Sequence, residues 1–247
     1  MARLEWDRIG EHYYETGSSH AVLFPIRDSY DETNKTDYEK GVAWNGFTGC
    51  DESPDGADIT KKYANNDEYV SFRAKESLNF TIKAFTYPVE WKDCDGRRST
   101  TAVPGFTIGQ QVRKKFGFCY ETIKGNDLQE NDYGKIYHIY YGCTASPSDK
   151  SYETVNDSPD NIEFSWECST TPVTISKTSV LGQDLGLDRD IKMVSIEIDS
   201  SNLTAIQISA LEAKLYGVAS PNAGDATLPR PEELYNIIKN ASNQVSG

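Results

Sequence analysis

Three histidines (His12, His20, His138) and five cysteines (Cys50, Cys94, Cys119, Cys143, Cys168) are the side chains best suited to act as bases, nucleophiles or soft metal ligands in this chain. Their spacing assembles none of those chemistries. The cysteines are odd in number and widely separated, with no C-x-x-C pair, so a zinc site lacks its usual close ligand pairs. Four lie in or beside apolar runs, where a free thiol packs as a small hydrophobe. Two histidines fall in an N-terminal arm. His138 sits within an aromatic run, where a packed imidazole is expected. No G-x-S-x-G, H-E-x-x-H or phosphate-binding loop occurs. Asn126–Asp132 (NDLQEND) lacks the alternating acids and the distal glutamate of a calcium loop. No pair stands out among 38 acidic residues as a glycosidase pair would. The sequence therefore assigns no catalytic residue, no cofactor and no metal ligand.

The bulk properties narrow the classes further. The net charge of −13 opposes a nucleic-acid clamp, which needs a basic footprint. An acidic surface suits a conduit for nucleic acid better, because it repels phosphates. No apolar run reaches membrane-spanning length. The N-terminus lacks the apolar core of a signal peptide, so synthesis in a reducing cytoplasm is expected and the five Asn-x-Ser/Thr sequons carry no meaning. Fifteen tyrosines supply large groups for a core or an interface.

The elements are mainly strands. Asn156–Ile175 opens on a turn signal and then alternates, Ile162, Phe164, Trp166 and Cys168 on one face and Glu163, Ser165 and Glu167 on the other. That pattern predicts a half-buried strand. Thr170-Thr171-Pro172 breaks it before a short strand at Val173–Ile175. Phe80, Ile82 and Ala84 share one face of a strand ending before Pro88. Lys115–Ile123 and Tyr133–Cys143 alternate as well. The second of these is apolar on both faces, which places it centrally in a sheet or at a subunit seam. Met193–Ile198 is the last clear strand, after a Gly- and Asp-rich connection at 182–190.

An arm at 1–19 precedes a first strand at Ala21–Pro25. A long excursion at 27–58 is expected to expose Trp44 and Phe47 around the Asn45-Gly46 turn signal, and to place Pro54 in a second turn cluster. One clear helix, about 204–216, is signalled by the Thr204…Gln207 capping box, an Ile208–Leu211–Leu215 stripe and Gly217 just past its end. A linker leads to a short helix at 231–240, opened by Pro231. That segment either docks on its own domain, docks on a neighbour or stays mobile. These elements make a mainly β chain with one flanking helix. Its organisation is a single domain at 1–217 followed by a C-terminal arm at 218–247.

Several segments spread over nearly the whole chain, in order, carry a more specific signal: 14–25, 40–58, 80–96, 105–127, 141–173, 211–217 and 228–239. GFTIGQQVRKKFGFCYETIKGND and the Asn156–Ile175 stretch are prominent among them. Together they resemble the major tail (tail tube) proteins of long non-contractile-tailed bacteriophages, especially those of Gram-positive hosts. The resemblance implies a β-sandwich or barrel of two packed antiparallel sheets with one flanking helix, and a structural, non-enzymatic virion protein. It would form hexameric rings that stack into a hollow tube, assembled in the host cytoplasm, through which viral DNA passes without specific binding. The implied partners are further copies of itself, a tape measure protein, tail assembly chaperones, a tail terminator and a distal tail protein, with no membrane involved. Trp44, Asn45, Gly46, Phe47, Pro54, Leu234, Tyr235 and Ile238 become candidate inter-subunit contacts. Glu163, Ser165 and Glu167 become candidates to line the lumen, with an outer solvent-facing surface as the alternative. Two rival readings stay open: another ring-forming tail component (a terminator or distal tail protein), and a carbohydrate-binding β-sandwich whose aromatics stack on sugars.

Overall fold

The computed structural model describes residues 4–27, 37–56, 59–73, 77–103, 105–152, 161–221 and 223–243. In chain order its strands are β1 (Tyr14–Pro25), β2 (Val42–Ala43), β3 (Phe47–Asp55), β4 (Ile59–Ala64), β5 (Asp67–Arg73), β6 (Ser77–Ala84), β7 (Arg98–Ser99), β8 (Thr107–Ile108), β9 (Phe116–Asn126), β10 (Glu130–Ala145), β11 (Phe164–Thr170), β12 (Val173–Ile175), β13 (Ile191–Met193) and β14 (Ser195–Asp199). The helices are α1 (Trp91–Cys94), α2 (Val180–Asp184), α3 (Ala205–Leu215) and α4 (Pro231–Asn243). The chain is mainly β, with several antiparallel sheets and few helices.

The aromatic hairpin β9–β10 is the centre. One large sheet runs β2-β1-β9-β10-β11-β6-β3, and β14 also pairs with β10. β10 therefore forks: Ile136–Tyr140 face β14 on one side, while Cys143–Ala145 face β11. Alternate residues of the hairpin feed two separate cores. Phe116, Phe118, Tyr120 and Tyr140 join Phe80, Ile82, Trp91 and Trp166 on the inner face. Cys119, Tyr137, Ile139 and Tyr141 join Leu211, Leu215, Leu228 and Leu234 on the outer face. Strands covered on both faces read as apolar throughout, and this is why the sequence pattern placed β10 centrally.

The sheet curls until its ends meet. β9 and β6 are three strand spacings apart, about 14 Å in a flat sheet. The Phe80 and Phe118 rings nevertheless lie 6.1 Å apart, and Phe80 stacks on Tyr140 at 4.7 Å. β2 pairs with β1, and the turn at Asn45-Gly46 then carries the chain into β3 on the opposite edge. Gly46 holds φ +74°, and a Cβ there would meet Thr86 Cγ2 at 2.8 Å, so the turn requires glycine. The result is a sandwich-like, partly closed architecture, consistent with the expected fold class.

The outer core is roofed by α3 and α4. Thr204 and Gln207 form the reciprocal capping box, and Gly217, at φ +79°, follows the end of α3. Two helices thus flank the sheet: the one expected there and the helix signalled at 231–240, whose docking the sequence left open. α4 runs to Asn243 because Leu234 is fully covered by the outer core and holds the helix against it.

Other expectations are revised. The arm is ordered earlier, since residues 14–19 already belong to β1 and pair with β9. The excursion at 27–58 is largely strand where it is described. DESPD continues β3, and Pro54 is tolerated because β3 is the edge of the sheet and needs no donor on its open side. The strand in the 156–175 stretch begins at Phe164, so Ile162 is an exposed residue outside it. The strand expected over Met193–Ile198 is interrupted at Val194, and the connection at 182–190 begins inside α2. The turn signal at 156–159 and most of the loop at 27–40 lie outside the described residues.

Candidate assembly surfaces

The residues proposed from sequence divide between surface and interior. Trp44 is only 4% exposed. Its ring packs 4.7 Å from Trp91, 5.6 Å from Trp166 and 5.8 Å from Phe118, and its Nε1–H donates to the Thr86 carbonyl at 2.9 Å. It is a core residue and not an exposed contact, because closure of the barrel brings β6 across it. Phe47 likewise faces inward, its ring 5.6 Å from Tyr120. Asn45, Gly46 and Pro54 are exposed. Leu234 is buried against its own subunit, and Ile238 packs beside it. The Tyr235 hydroxyl donates to Asp184 at 2.7 Å, and Lys239 pairs with the same carboxylate. α4 therefore docks on its own domain, leaving only the outward parts of these side chains for a neighbour.

Glu163, Ser165 and Glu167 are exposed, as the alternation required. Register extends their face across three strands. Ser169, Asn79 and Ser53 form one row, Glu167, Thr81 and Asp51 the next, and Ser165, Lys83 and Gly49 the third. Glu163 accepts the Thr48 hydroxyl at 2.6 Å. Lys83 pairs with Asp51 at 2.5 Å. The face is thus polar and small-chained, with Asp51, Glu163 and Glu167 outnumbering Lys83.

The most exposed apolar side chains lie elsewhere. β4 and β5 form a hairpin that pairs with no other described strand. Its turn, Asn65-Asn66, has both φ values positive, 53° and 64°. Ile59, Tyr63, Tyr69 and Phe72 are each more than half exposed, Tyr69 at 78%. A lone two-stranded hairpin is marginal in water, and these large apolar side chains, exposed on both of its faces, offer surface to an interaction partner. Strand alternation did not bring out β4. The signal was the Asn-Asn pair between Tyr63 and Tyr69. This hairpin is also inserted between paired neighbours, since Asp55 of β3 faces Ser77 of β6.

A second apolar group, Leu4, Trp6 and Ile9, lies on the arm. The arm is pinned by Asp127, whose carboxylate accepts the Gly10 N–H at 2.9 Å and pairs with His12 at 3.0 Å. The Gly10 amide, and then His12, pull the Asp127 carboxyl down to about 2; Asp127 in turn raises His12. The acidic 126–132 turn thereby acts as a fastening for the arm. Tyr14 lies flat over Gly125, where a Cβ would meet the ring at 2.3 Å.

All five cysteines are free. Burial pushes Cys50 up to about 12 and raises the other four well above the usual thiol range, which disfavours a thiolate nucleophile near neutral pH. Glu121 is buried but held by Lys135 at 3.0 Å, His20 at 2.7 Å and the Tyr216 hydroxyl at 3.0 Å. One further group stands at the open end of the inner core: His138 with Glu52 and Glu197. No helix among the described residues is long and apolar enough to cross a membrane. Compared with known proteins, the chain matches no family model and no curated sequence.

Proposed function

We propose that this chain is a structural subunit that self-assembles into stacked hexameric rings, forming the hollow tail tube of a long-tailed bacteriophage. The resemblance of its segments to major tail proteins motivates the reading. The structural observation that carries it is the β4–β5 hairpin, a ribbon that pairs with no other strand among the described residues and exposes four large apolar side chains. Such a ribbon gains its stability by docking on a neighbouring copy. A head-to-tail contact of this kind repeats without closing along an axis, so rings extend into a tube. The polar strip on β3, β6 and β11 is the proposed lumen lining, where excess carboxylates repel passing DNA. The tape measure protein, the assembly chaperones, the terminator and the distal tail protein are its proposed partners. The virion is its proposed location, and no catalysis is assigned to it.

Negative-stain electron microscopy of the concentrated purified protein tests the reading. Long hollow tubes are expected. Isolated rings would favour a terminator or distal tail protein, and persistent monomers that bind glycans would replace the proposal with a carbohydrate-binding role.

A further inference from the structure

Glu52, His138 and Glu197 are far apart in sequence and are brought together by three strands. His138 and Glu197 are directly opposed across β10 and β14. Glu52 sits on the inward face of β3, in register with Phe80, and reaches the same place because the sheet curls. Its carboxylate accepts the Tyr140 hydroxyl. One ligand atom from each of the three residues lies within 4.8 Å of the other two.

His138 supplies an independent observation. Its side chain is only 10% exposed and stacks flat on Tyr120, with centroids 4.7 Å apart and planes at 13°. Nε2 lies 3.0 Å from Thr122 Oγ1. Nδ1 is buried with no hydrogen-bond partner, and the nearest carboxylate oxygen, from Glu197, is 3.9 Å away. A buried ring nitrogen normally finds a partner, so this one calls for an explanation. If Nε2–H donates to Thr122, the tautomer is fixed and the Nδ1 lone pair is left open beside the Glu197 carboxylate. A second-shell hydrogen bond of this kind is what orients a metal-ligating imidazole.

We propose that Glu52, His138 and Glu197 form a site for a first-row divalent cation. One imidazole nitrogen and two carboxylate oxygens, with water at the open positions, suit Zn²⁺, Co²⁺ or Mn²⁺ better than the all-oxygen preference of Ca²⁺ or Mg²⁺. Bond lengths of about 2.0–2.2 Å require the ligand atoms to close by roughly 1 Å. Both glutamates are exposed, so their side chains turn to do so without moving a strand. The ion would tie β3, β10 and β14 together at the mouth of the inner core, where β14 pairs with β10 alone among the described strands. This site is independent of the tube proposal.

The test uses the full chain without a histidine tag. Zn²⁺ is titrated calorimetrically, and Co²⁺ is followed by its visible absorption. One ion per chain is expected, with a rise in Tm. Glu197→Gln changes an exposed side chain and His138→Phe keeps the ring stacking; each should weaken Zn²⁺ binding at least about tenfold. His12→Asn and His20→Asn should leave it unchanged. Absence of stoichiometric Zn²⁺ binding overturns the proposal. So does binding that survives Glu197→Gln and Glu52→Gln at unaltered affinity, since the ion would then sit elsewhere.

Discussion

Asp127 and His12 illustrate how much a single side chain decides on this surface. The sequence marked their neighbourhood only as an acidic turn and a charged arm. The structure joins them, and the sign of each contribution follows. His12 is raised above its ordinary 6.5, so its share of the arm's anchorage is complete below 6.5 and disappears as pH rises through the raised value. Asp127 is depressed, so its share is present above 3.8 and is lost as pH falls through about 2. Asp127→Asn should return His12 toward 6.5 in an NMR titration; an unmoved His12 would mean the pin is absent in solution. Trp44 teaches the opposite lesson. Its place beside Asn-Gly suggested exposure, yet the ring is enclosed by Trp91, Trp166 and Phe118. Trp44→Ala should cost about 3–5 kcal/mol in denaturant unfolding, the range for deleting a buried large aromatic. A near-neutral effect would show that the core relaxes around the gap.

Among the elements, legibility followed the range of the forces involved. β6, β9 and β10 were readable because period-two alternation is a local pattern. The start of α3 was readable because the Thr204–Gln207 box spans only its first turn. β3 was not, since Pro54 and the Asp–Pro–Gly composition speak for a turn and only its position at the sheet edge makes a strand acceptable. The pairing of Glu52 with His138 was equally hidden, because it depends on sheet curvature. The β4–β5 hairpin offers the decisive test at this scale. Asp55 and Ser77 already face each other, so replacing residues 56–76 with Asn-Gly should close β3 and β6 into an ordinary hairpin. The shortened chain should keep its cooperative unfolding and fail to form tubes in electron micrographs. Tubes of normal length would remove the hairpin from the assembly.

For the whole molecule, the question is how charge is distributed around a proposed channel. The net charge of −13 is a property of the chain; the polar strip on β3, β6 and β11 gives part of it a location. Reversal of Asp51, Glu163 and Glu167 to lysine exchanges repulsion for attraction along that strip. DNA ejection from virions carrying the variant should slow, most visibly at low salt, where screening is weakest. An unchanged ejection rate would move the strip to the outside of the tube. The family resemblance supplied the sandwich and the assembly expectation, and the predominance of strands was legible from alternation alone. Which side chains face a neighbour was not, because exposure is decided by closures that join distant segments.

The forked β10 strand also has a kinetic consequence. β9 and β10 are joined by a short turn, whereas β1 reaches β9 across roughly a hundred residues, as the Ser19–Glu121 hydrogen bond with its separation of 102 shows. Loop closure of that length is slow, and chains dominated by such pairings fold in about milliseconds to seconds. The β9–β10 hairpin is the one large piece that forms locally, and both cores are nucleated on its two faces. Substitutions at Phe118 and Ile139 should therefore slow refolding in proportion to their loss of stability, whereas those at Leu211 should chiefly speed unfolding. Equal effects on both rates would place the nucleus elsewhere. A subunit that folds in this order completes its central ribbon first and its edge strand β3, with the attached hairpin, late. Newly made chains would then acquire the capacity to stack only after their interior is sealed.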